Sequence, residues 1–441
     1  MKTNSCTFHI ETFGCQMNKG DSELMALSLS NAGFAEATPD AVADILVFNT
    51  CSVRQHAEDR VISRIGAIKS ARLTGSIIVI TGCMAQRIGE SLIEGGLADL
   101  VIGPYESPRI GEIVLEHFSG SGKRLYRSLL PEDFRTRIDP ALADKKDSQP
   151  WHKWVTITHG CENFCSYCIV PYVRGRLISF PSDLILDYIK RLAASGIKEI
   201  TLLGQNVNQY GEAGGITFYK LLEKVADIDG LIKINFLTSH PKDFDENIVN
   251  VIRDNENISR AIHLPLQSGS DAVLTAMNRK YTIGHYLTII EKIDAKLDRY
   301  SISTDIIVGF PGESAEDFNA TLDIVRRVRF DDAFTYAYSP RSGTAAFQLK
   351  ETLSKDEKIE RLNALIELQR KISKEKLAAR VNTREDMIAE RISKRSDKEL
   401  MGKTFLDHPV ITPGVPDDIG KKIKIEITEL KGNTLYGKRI V

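Results

Sequence analysis

At 441 residues the chain exceeds what one ordinary core organises and suits two or three domains. Its composition, 42% apolar and 27% charged, is that of a globular protein, and the formal net charge of −1 excludes a global positive field. Any nucleic-acid partner must therefore be held by a local basic surface. No run of ~18 apolar residues is present to span a membrane, and Met1 to Ser5 lead directly into a strand-like segment. A cytoplasmic protein with no membrane partner is expected.

Residues 1–118 alternate strand-like runs (7–13, 44–49, 76–81 and 99–102) with helically spaced stretches such as 22–32 and 57–71. That rhythm predicts an α/β domain with a mostly parallel sheet. A polar stretch, 119–150, contains Pro131, Pro140, Pro150 and the charged run 143–147, and reads as a linker. Residues 151–375 alternate again, with strand candidates at 154–158, 199–203, 233–237, 261–266, 302–308 and 333–338. Helices are expected at 182–194, 219–226, 283–296 and 315–328. Six βα units instead of eight predict an open, partial (β/α)6 barrel. Ser354 and Glu357 form a capping box at the start of a long charged helix. In residues 376–441 the strand-like runs 421–428 and 433–441, punctuated by glycines, predict a small antiparallel β-barrel.

Seven cysteines, with no export signal, argue for metal or redox chemistry over a disulfide framework. Cys161, Cys165 and Cys168 form a C-x3-C-x2-C run directly after the first barrel strand. Thiolates are the preferred ligands of iron–sulfur clusters, and three of them leave one iron of a cubane open to a cofactor. The competing structure is a closed zinc site, which wants a fourth ligand; His159 is a nearby candidate. Cys15, Cys51 and Cys83 each follow a predicted strand of the first domain by a residue or two. In a parallel sheet those strand ends share one edge, so the three thiols converge and could hold a second cluster. The bland alternative is three small buried residues. Cys6 precedes its strand, at the opposite edge, and is a bystander.

The C-x3-C-x2-C run with aromatic Tyr167 before its last cysteine resembles the radical S-adenosylmethionine (SAM) signature. Together, the two cysteine sets look like the methylthiotransferase family over essentially the whole chain. The strings 12–18, 49–54 and 82–85, with 203–208, 238–241 and 263–270, look like its MiaB type. That resemblance implies an N-terminal domain with an auxiliary [4Fe–4S] cluster, a radical SAM barrel with a second [4Fe–4S] cluster, and a terminal RNA-binding β-barrel called TRAM. It implies a 2-methylthio transfer to N6-isopentenyladenosine at position 37 of tRNA, with SAM as both methyl donor and source of a 5′-deoxyadenosyl radical. An electron donor such as flavodoxin or ferredoxin and a sulfur source are implied as partners, and a monomer is expected. One stretch departs from the family pattern: after Val173, Arg174, Gly175 and Arg176 come Leu177, Ile178, Ser179 and Phe180, where a charged residue and later a second arginine are usual.

Candidate SAM contacts are Tyr167, in the cysteine loop, and Gln205, Asn206, Gln267 and Asp305, at or near barrel strand ends. His240 and His263 are expected to be hydrogen-bonded structural residues. Lys371, Lys374, Lys376, Arg380, Arg391, Lys394 and Arg395 make the C-terminal third locally basic, and Lys421, Lys422, Lys424, Lys438 and Arg439 extend this into the last domain. Such residues position an RNA by its phosphates. Interleaved Glu360, Glu367 and Glu375 leave a solvated helix face as the alternative.

Overall fold

The computed structural model describes residues 6–38, 43–52, 55–69, 75–120, 125–126, 151–211 and 215–440. The predicted linker, with Pro131, Pro140, Pro150 and the run 143–147, lies almost wholly outside them.

In the N-terminal domain, short runs of Val, Ile and Phe become strands, of which the central ones, 45–50, 77–82 and 100–102, are buried on both faces as parallel sheets require. These are β1 (Thr7–Thr12), β2 (Ala35–Glu36), β3 (Ile45–Thr50), β4 (Ile77–Gly82), β5 (Leu100–Ile102) and β6 (Leu125–Tyr126). They form one parallel sheet in the order β2-β1-β3-β4-β5-β6. Helices α1 (Gln16–Asn31), α2 (Gln55–Lys69), α3 (Cys83–Glu94) and α4 (Ile110–Phe118) cross between strands. Two apolar clusters, one around Phe8, Val47 and Ile113 and one around Phe48, Ile80 and Met84, pack the two faces. The four principal strands fall where they were expected. Helix α1 starts six residues earlier than its apolar spacing suggested, and α3 was not foreseen.

The second domain contains strands β7 (His152–Thr156), β10 (Glu199–Leu203), β11 (Lys233–Phe236), β12 (Ala261–His263), β13 (Ser301–Val308) and β14 (Asp332–Ala337). A small antiparallel pair, β8 (Thr158–His159) and β9 (Ile178–Ser179), sits beside the first of them. The six main strands form two parallel three-stranded sheets, β11-β10-β7 and β12-β13-β14. An Ile234 to Ile258 bridge joins them into the expected partial barrel. Around it run α5 (Val170–Arg174), α6 (Ser182–Ala194), α7 (Phe218–Ala226), α8 (Glu246–Asp254), α9 (Asp271–Ala276), α10 (Ile283–Lys296) and α11 (Ala315–Val328). Apart from α5, their apolar faces merge with the strands into the largest core among the described residues. Helix α1 covers the open edge at β7: Lys153 pairs with Glu23 at 3.1 Å, and the Lys19 ammonium lies over the Trp154 ring.

Helix α12 (Lys355–Ala378) begins at the anticipated capping box, with Ser354 and Glu357 satisfying each other's backbone N–H groups. It runs across the expected boundary at 375 and leads into β15 (Arg384–Ser393), β16 (Ser396–Thr404), β17 (Pro409–Pro413), β18 (Lys422–Lys431) and β19 (Thr434–Arg439). These close into a barrel in the order β15-β16-β17-β19-β18. The expectation of a wholly antiparallel barrel needs one correction, because β17 and β19 pair in parallel. That pairing closes the ring, since the 3-10 turn Pro416–Asp418 carries the chain from β17 to β18 without an adjacent return.

The 404–408 segment of this barrel docks on the N-terminal ends of the partial-barrel strands. Lys233 Nζ donates to the Thr404 carbonyl at 3.2 Å, and Ser259 and Ser301 donate to the carbonyls of Phe405 and Leu406. His408 Nε2 lies 3.4 Å from Asp331, and Gly420 packs so closely on Trp151 that a side chain there would collide with it. Among the described residues no helix is long and apolar enough to cross a membrane.

Candidate active site

Cys15, Cys51 and Cys83 follow the adjacent strands β1, β3 and β4 at their carboxyl ends, on one edge of the sheet. Cys15 is also the N-cap of α1, and Cys83 is the first residue of α3. Two of the three thiols thus sit at helix N-termini, where the partial positive charge favours thiolate. The sequence signal for this was present in the helix-compatible run after Cys83, which holds Met84, Ala85 and Gln86. Glycine is needed on both approaches. Gly14 (φ +122) lies so near Cys51 that a Cβ would overlap its side chain, and at Gly82 (φ +91) a Cβ would overlap the Thr50 carbonyl. Asn18 braces the edge by donating to the carbonyls of Phe13 and Thr50.

Cys15 is exposed, whereas Cys51 and Cys83 are buried. The Cys51 thiol beside Cys15 holds its pKa down at about 6, and the Arg174 guanidinium acts the same way. Burial pushes Cys83 up, partly offset by Arg174, whose Nε donates to Cys83 Sγ at 3.2 Å. A surface cavity of about 430 Å³, lined by Glu11, Thr12, Phe13, Gly14 and Arg60, reaches the residue before Cys15.

The second set follows the short strand β8. Cys161, Cys165 and Cys168 lie in the 161–168 loop, which Met277 and Ala276 hold by their carbonyls through Ser166. Burial raises Cys161, and burial together with Cys165 pushes Cys168 up to about 12. Arg279, itself buried, points Nη1 at Cys165 Sγ (3.3 Å) and at the Tyr167 hydroxyl (3.4 Å). His159 is fully buried with its ring edge on Tyr105, 4.9 Å between centroids. None of the seven cysteines is in a disulfide, and Cys6 packs against the N-terminal core away from the others.

Among the described residues no three His, Cys, Asp or Glu side chains stand close enough together to hold a metal ion as they are. Within each set, however, the thiols act on one another's charge. Each set also has a buried guanidinium aimed at one sulfur. Neutral thiols do not warrant such a costly group, but an anionic sulfur-ligated centre does. The residues present therefore fit iron–sulfur groups.

The two sets are neighbours in space. Cys83 packs on Ile169 and Val173, just beyond Cys168, and Arg174 at the end of α5 reaches back into the N-terminal domain. Arg341, after β14, lies within electrostatic reach of both Cys51 and Cys168, and its Nη1 stands 3.5 Å from Glu58. Glu58 is held in turn by Ser52 (2.5 Å) and Arg87 (2.6 Å). Sequence reasoning singled out neither Arg279 nor Arg341, and gave Arg174 only as part of a string. Their role depends on contacts more than 90 residues away in the chain.

Of the candidate SAM contacts, Tyr167 packs with Val273, Met277, Phe310 and Tyr338. Gln205 and Asn206 follow β10; Asn206 donates to Asp243 at 2.7 Å. Gln205 Oε1, Asn206 Oδ1, Asn208 Nδ2, Ser239 Oγ and His240 Nε2 are buried with no hydrogen-bond partner among the described residues. Leaving such groups unpaired is costly, so this end of the barrel fits a polar ligand. Gln267 takes φ +68 to bond the Asp305 carbonyl, which sets it beside β13. Asp305 lies within β13 rather than near its end, 3.3 Å from His263 Nε2. His263 and His240 are hydrogen-bonded as expected, the latter accepting from the Lys242 N–H, and burial pushes its pKa down to about 2.

Three family descriptions match in the same order as the domains: "Uncharacterized protein family UPF0004" over residues 7–103, "Radical SAM superfamily" over 155–325 and "TRAM domain" over 365–440. A tRNA-2-methylthio-N(6)-dimethylallyladenosine synthase of Thermoanaerobacter pseudethanolicus is 43% identical, over 100% of this chain and 94% of its own length. The chain belongs to this synthase family.

Synthases of the same name from Natranaerobius thermophilus (40% identity, 99% of this chain and 97% of theirs) and Geobacter sulfurreducens (39%, 99% and 98%) are equally co-extensive. In fold alone, the chain resembles a radical SAM methyltransferase, TsrM, from Kitasatospora setae: TM-score 0.58, 13% identity, 78% of this chain and 74% of that one. The protein is accordingly a transferase that shares the family's general use of SAM and iron–sulfur chemistry. The TRAM match carries the expectation of an RNA partner. Part of the basic surface is neutralised, because Lys376, Arg380, Lys421, Lys422, Lys438 and Arg439 are drawn into ion pairs.

Proposed function

We propose that the chain converts N6-isopentenyladenosine to 2-methylthio-N6-isopentenyladenosine at position 37 of tRNA, next to the anticodon. Co-extensive identity of 43% with a synthase of that name carries the reading. The adjacency of two cysteine sets, joined through α5, supports it. Cys15, Cys51 and Cys83 would hold one [4Fe–4S] cluster and Cys161, Cys165 and Cys168 the other. Such clusters supply, respectively, a place for the sulfur and the electron that cleaves SAM.

The protein's own residues then orient and exclude water. Arg279 neutralises charge at Cys165 and fixes Tyr167, while Gln205, Asn206, Gln267 and Asp305 offer polar groups to SAM. The target base must leave its stack to reach this site, which costs less in an already single-stranded anticodon loop. A flavodoxin or ferredoxin as electron donor, a separate sulfur source, a cytoplasmic location and a monomeric state belong to the same reading. So does the division at 1–118, 119–150, 151–375 and 376–441.

Iron and labile sulfide are measured after anaerobic reconstitution of the full chain. About eight irons are expected, falling to about four in Cys161/Cys165/Cys168→Ala and to about four in Cys15/Cys51/Cys83→Ala. Full iron retention in the second variant would remove the auxiliary cluster from the reading. Nucleoside analysis of tRNA from a host lacking the modification, complemented with this chain, tests the substrate. The methylthiolated isopentenyladenosine should return, and a product on a different adenosine would reassign it.

A further inference from the structure

Arg174 is 2% exposed and belongs to both cysteine sets at once. Its main chain is tied to the radical SAM loop: the Cys161 N–H donates to the neighbouring Gly175 carbonyl at 3.2 Å. Gly160 lies so close to the Arg174 and Arg176 carbonyls that no side chain fits between them. The Arg174 carbonyl also accepts from the Tyr105 hydroxyl, which anchors it to the N-terminal domain. Its side chain crosses into that domain. Nε donates to Cys83 Sγ at 3.2 Å, and Nη2 donates to Asp21 Oδ2 at 2.8 Å and Asn18 Oδ1 at 3.2 Å.

Arginine carries five N–H donors in a fixed fork. Three are engaged here, while Nη1 is buried with no hydrogen-bond partner among the described residues. One carboxylate, Asp21, therefore answers a buried cation that still has donors to spare. A thiolate at Cys83, which forms when iron is bound, would supply a second negative charge to this cation beside Nε.

We propose that Arg174 is a positioning residue for the transfer, fixing the radical SAM loop to Cys83 and raising the reduction potential of the cluster held by Cys15, Cys51 and Cys83. The proposal rests on the two-cluster reading above. A positive charge and an N–H donor at a ligating sulfur stabilise the more negative, reduced state of a cluster. Asp21 opposes that effect from the other side of the guanidinium. Arg174 and Asp21 thus act on the potential with opposite signs, whereas a general loosening of the site would move both variants the same way.

The test uses the full-length Cys161/Cys165/Cys168→Ala chain, which retains only the auxiliary cluster, and follows its reduction by electron paramagnetic resonance in a potentiometric titration. R174Q should shift the midpoint to more negative potential, and D21N should shift it to more positive potential. R174K, which keeps the charge but not the fork, should fall between R174Q and the parent. In the Cys15/Cys51/Cys83→Ala chain, R174Q should leave the remaining cluster's midpoint in place. Unmoved midpoints with full iron, or shifts of the same sign in R174Q and D21N, would overturn the proposal. Should the Arg174 variants lose iron, D21N decides, because its amide oxygen still accepts from Nη2: a positive shift supports the proposal and none overturns it. If the parent itself binds no iron, the two-cluster reading has failed, and the proposal falls with it.

Discussion

At the carboxyl edge of the N-terminal sheet, burial and charge pull the cysteines in opposite directions. Cys83, enclosed by Ile169 and Val173, is pushed toward the neutral thiol, while Arg174 draws it toward the thiolate. Cys15, exposed and beside Cys51, is the readily ionised member. The geometry leaves little tolerance there. Gly14→Ala puts a Cβ into Cys51 and forces a non-glycine residue to φ +122, a strain of about 1–3 kcal/mol before any overlap is counted. Reconstituted Gly14→Ala should hold about half the wild-type iron, with the Cys161 set still loaded, as measured by iron analysis. Full loading would show that the loop can move away from Cys51. The spacing of Cys161, Cys165 and Cys168 was legible in the sequence because the three lie in one loop. Arg279 and Arg341 were not, since nothing near them in the chain marks a guanidinium that must meet a thiol from another element.

Element boundaries follow the same logic of local against distant causes. Helices α6, α10 and α11 match their expected spans, because apolar residues at helical spacing coincide with clear starts such as Thr282 and Ser314, whose hydroxyls cap the first turns. Helix α3 escaped because it is buried around Cys83, Met84 and Gln86, with no amphipathic break between strand and helix. The first three strands of the terminal barrel escaped for a related reason. In the first two, charged residues flank the apolar ones, as in 384–386 and 396–399, and the third is a five-residue strand bounded by Pro409 and Pro413. At the start of α12, Ser354 accepts from the Glu357 N–H while Glu357 accepts from the Ser354 N–H, and both residues are exposed. Ser354→Ala should cost about 1 kcal/mol, read by urea unfolding, without altering iron content. A loss of iron would mean that the start of α12 is coupled to the cluster sites.

Across the whole molecule, the cysteine sets and the TRAM barrel occupy opposite ends of the partial barrel. The former gather where the strands end, and the 404–408 segment docks where they begin. An RNA held by both must extend along the side of the barrel, which a stem-loop can do and a free nucleoside cannot. The two tryptophans report the two interfaces separately: Trp151 lies against Gly420 of TRAM, and Trp154 against Lys19 of α1. Asp331 fastens the TRAM side, accepting from Lys376 Nζ (2.6 Å) and the Ile302 N–H (2.8 Å) beside His408. Burial by itself would raise its pKa, but His408 and Lys376 prevail and hold it below the ordinary value. A depressed carboxylate contributes stability that is complete above its unfolded pKa of about 3.9 and is lost as pH falls through the folded value. Asp331→Asn should therefore destabilise by about 3 kcal/mol at pH 7, with the deficit shrinking below about pH 4. Tryptophan fluorescence during urea unfolding measures it. An unchanged midpoint at pH 7 would show that the docked segment holds without this carboxylate.

The sequence by itself determined the order of three domains, the six strands of the partial barrel, and the place of Cys15, Cys51 and Cys83 at three strand ends and of Cys161, Cys165 and Cys168 in one loop. Each of these is written locally, in hydrophobic period, in turns or in cysteine spacing, and local signals survive in a linear string. Tertiary structure alone decided that the two sets adjoin, that Arg174 spans them, and that TRAM docks at the far end of the barrel. Those facts rest on contacts between residues 69 or more positions apart, such as Tyr105 with Arg174 and Lys233 with Thr404. Burial and charge pairing at such distances depend on how whole elements pack, and no period or spacing in the chain encodes that.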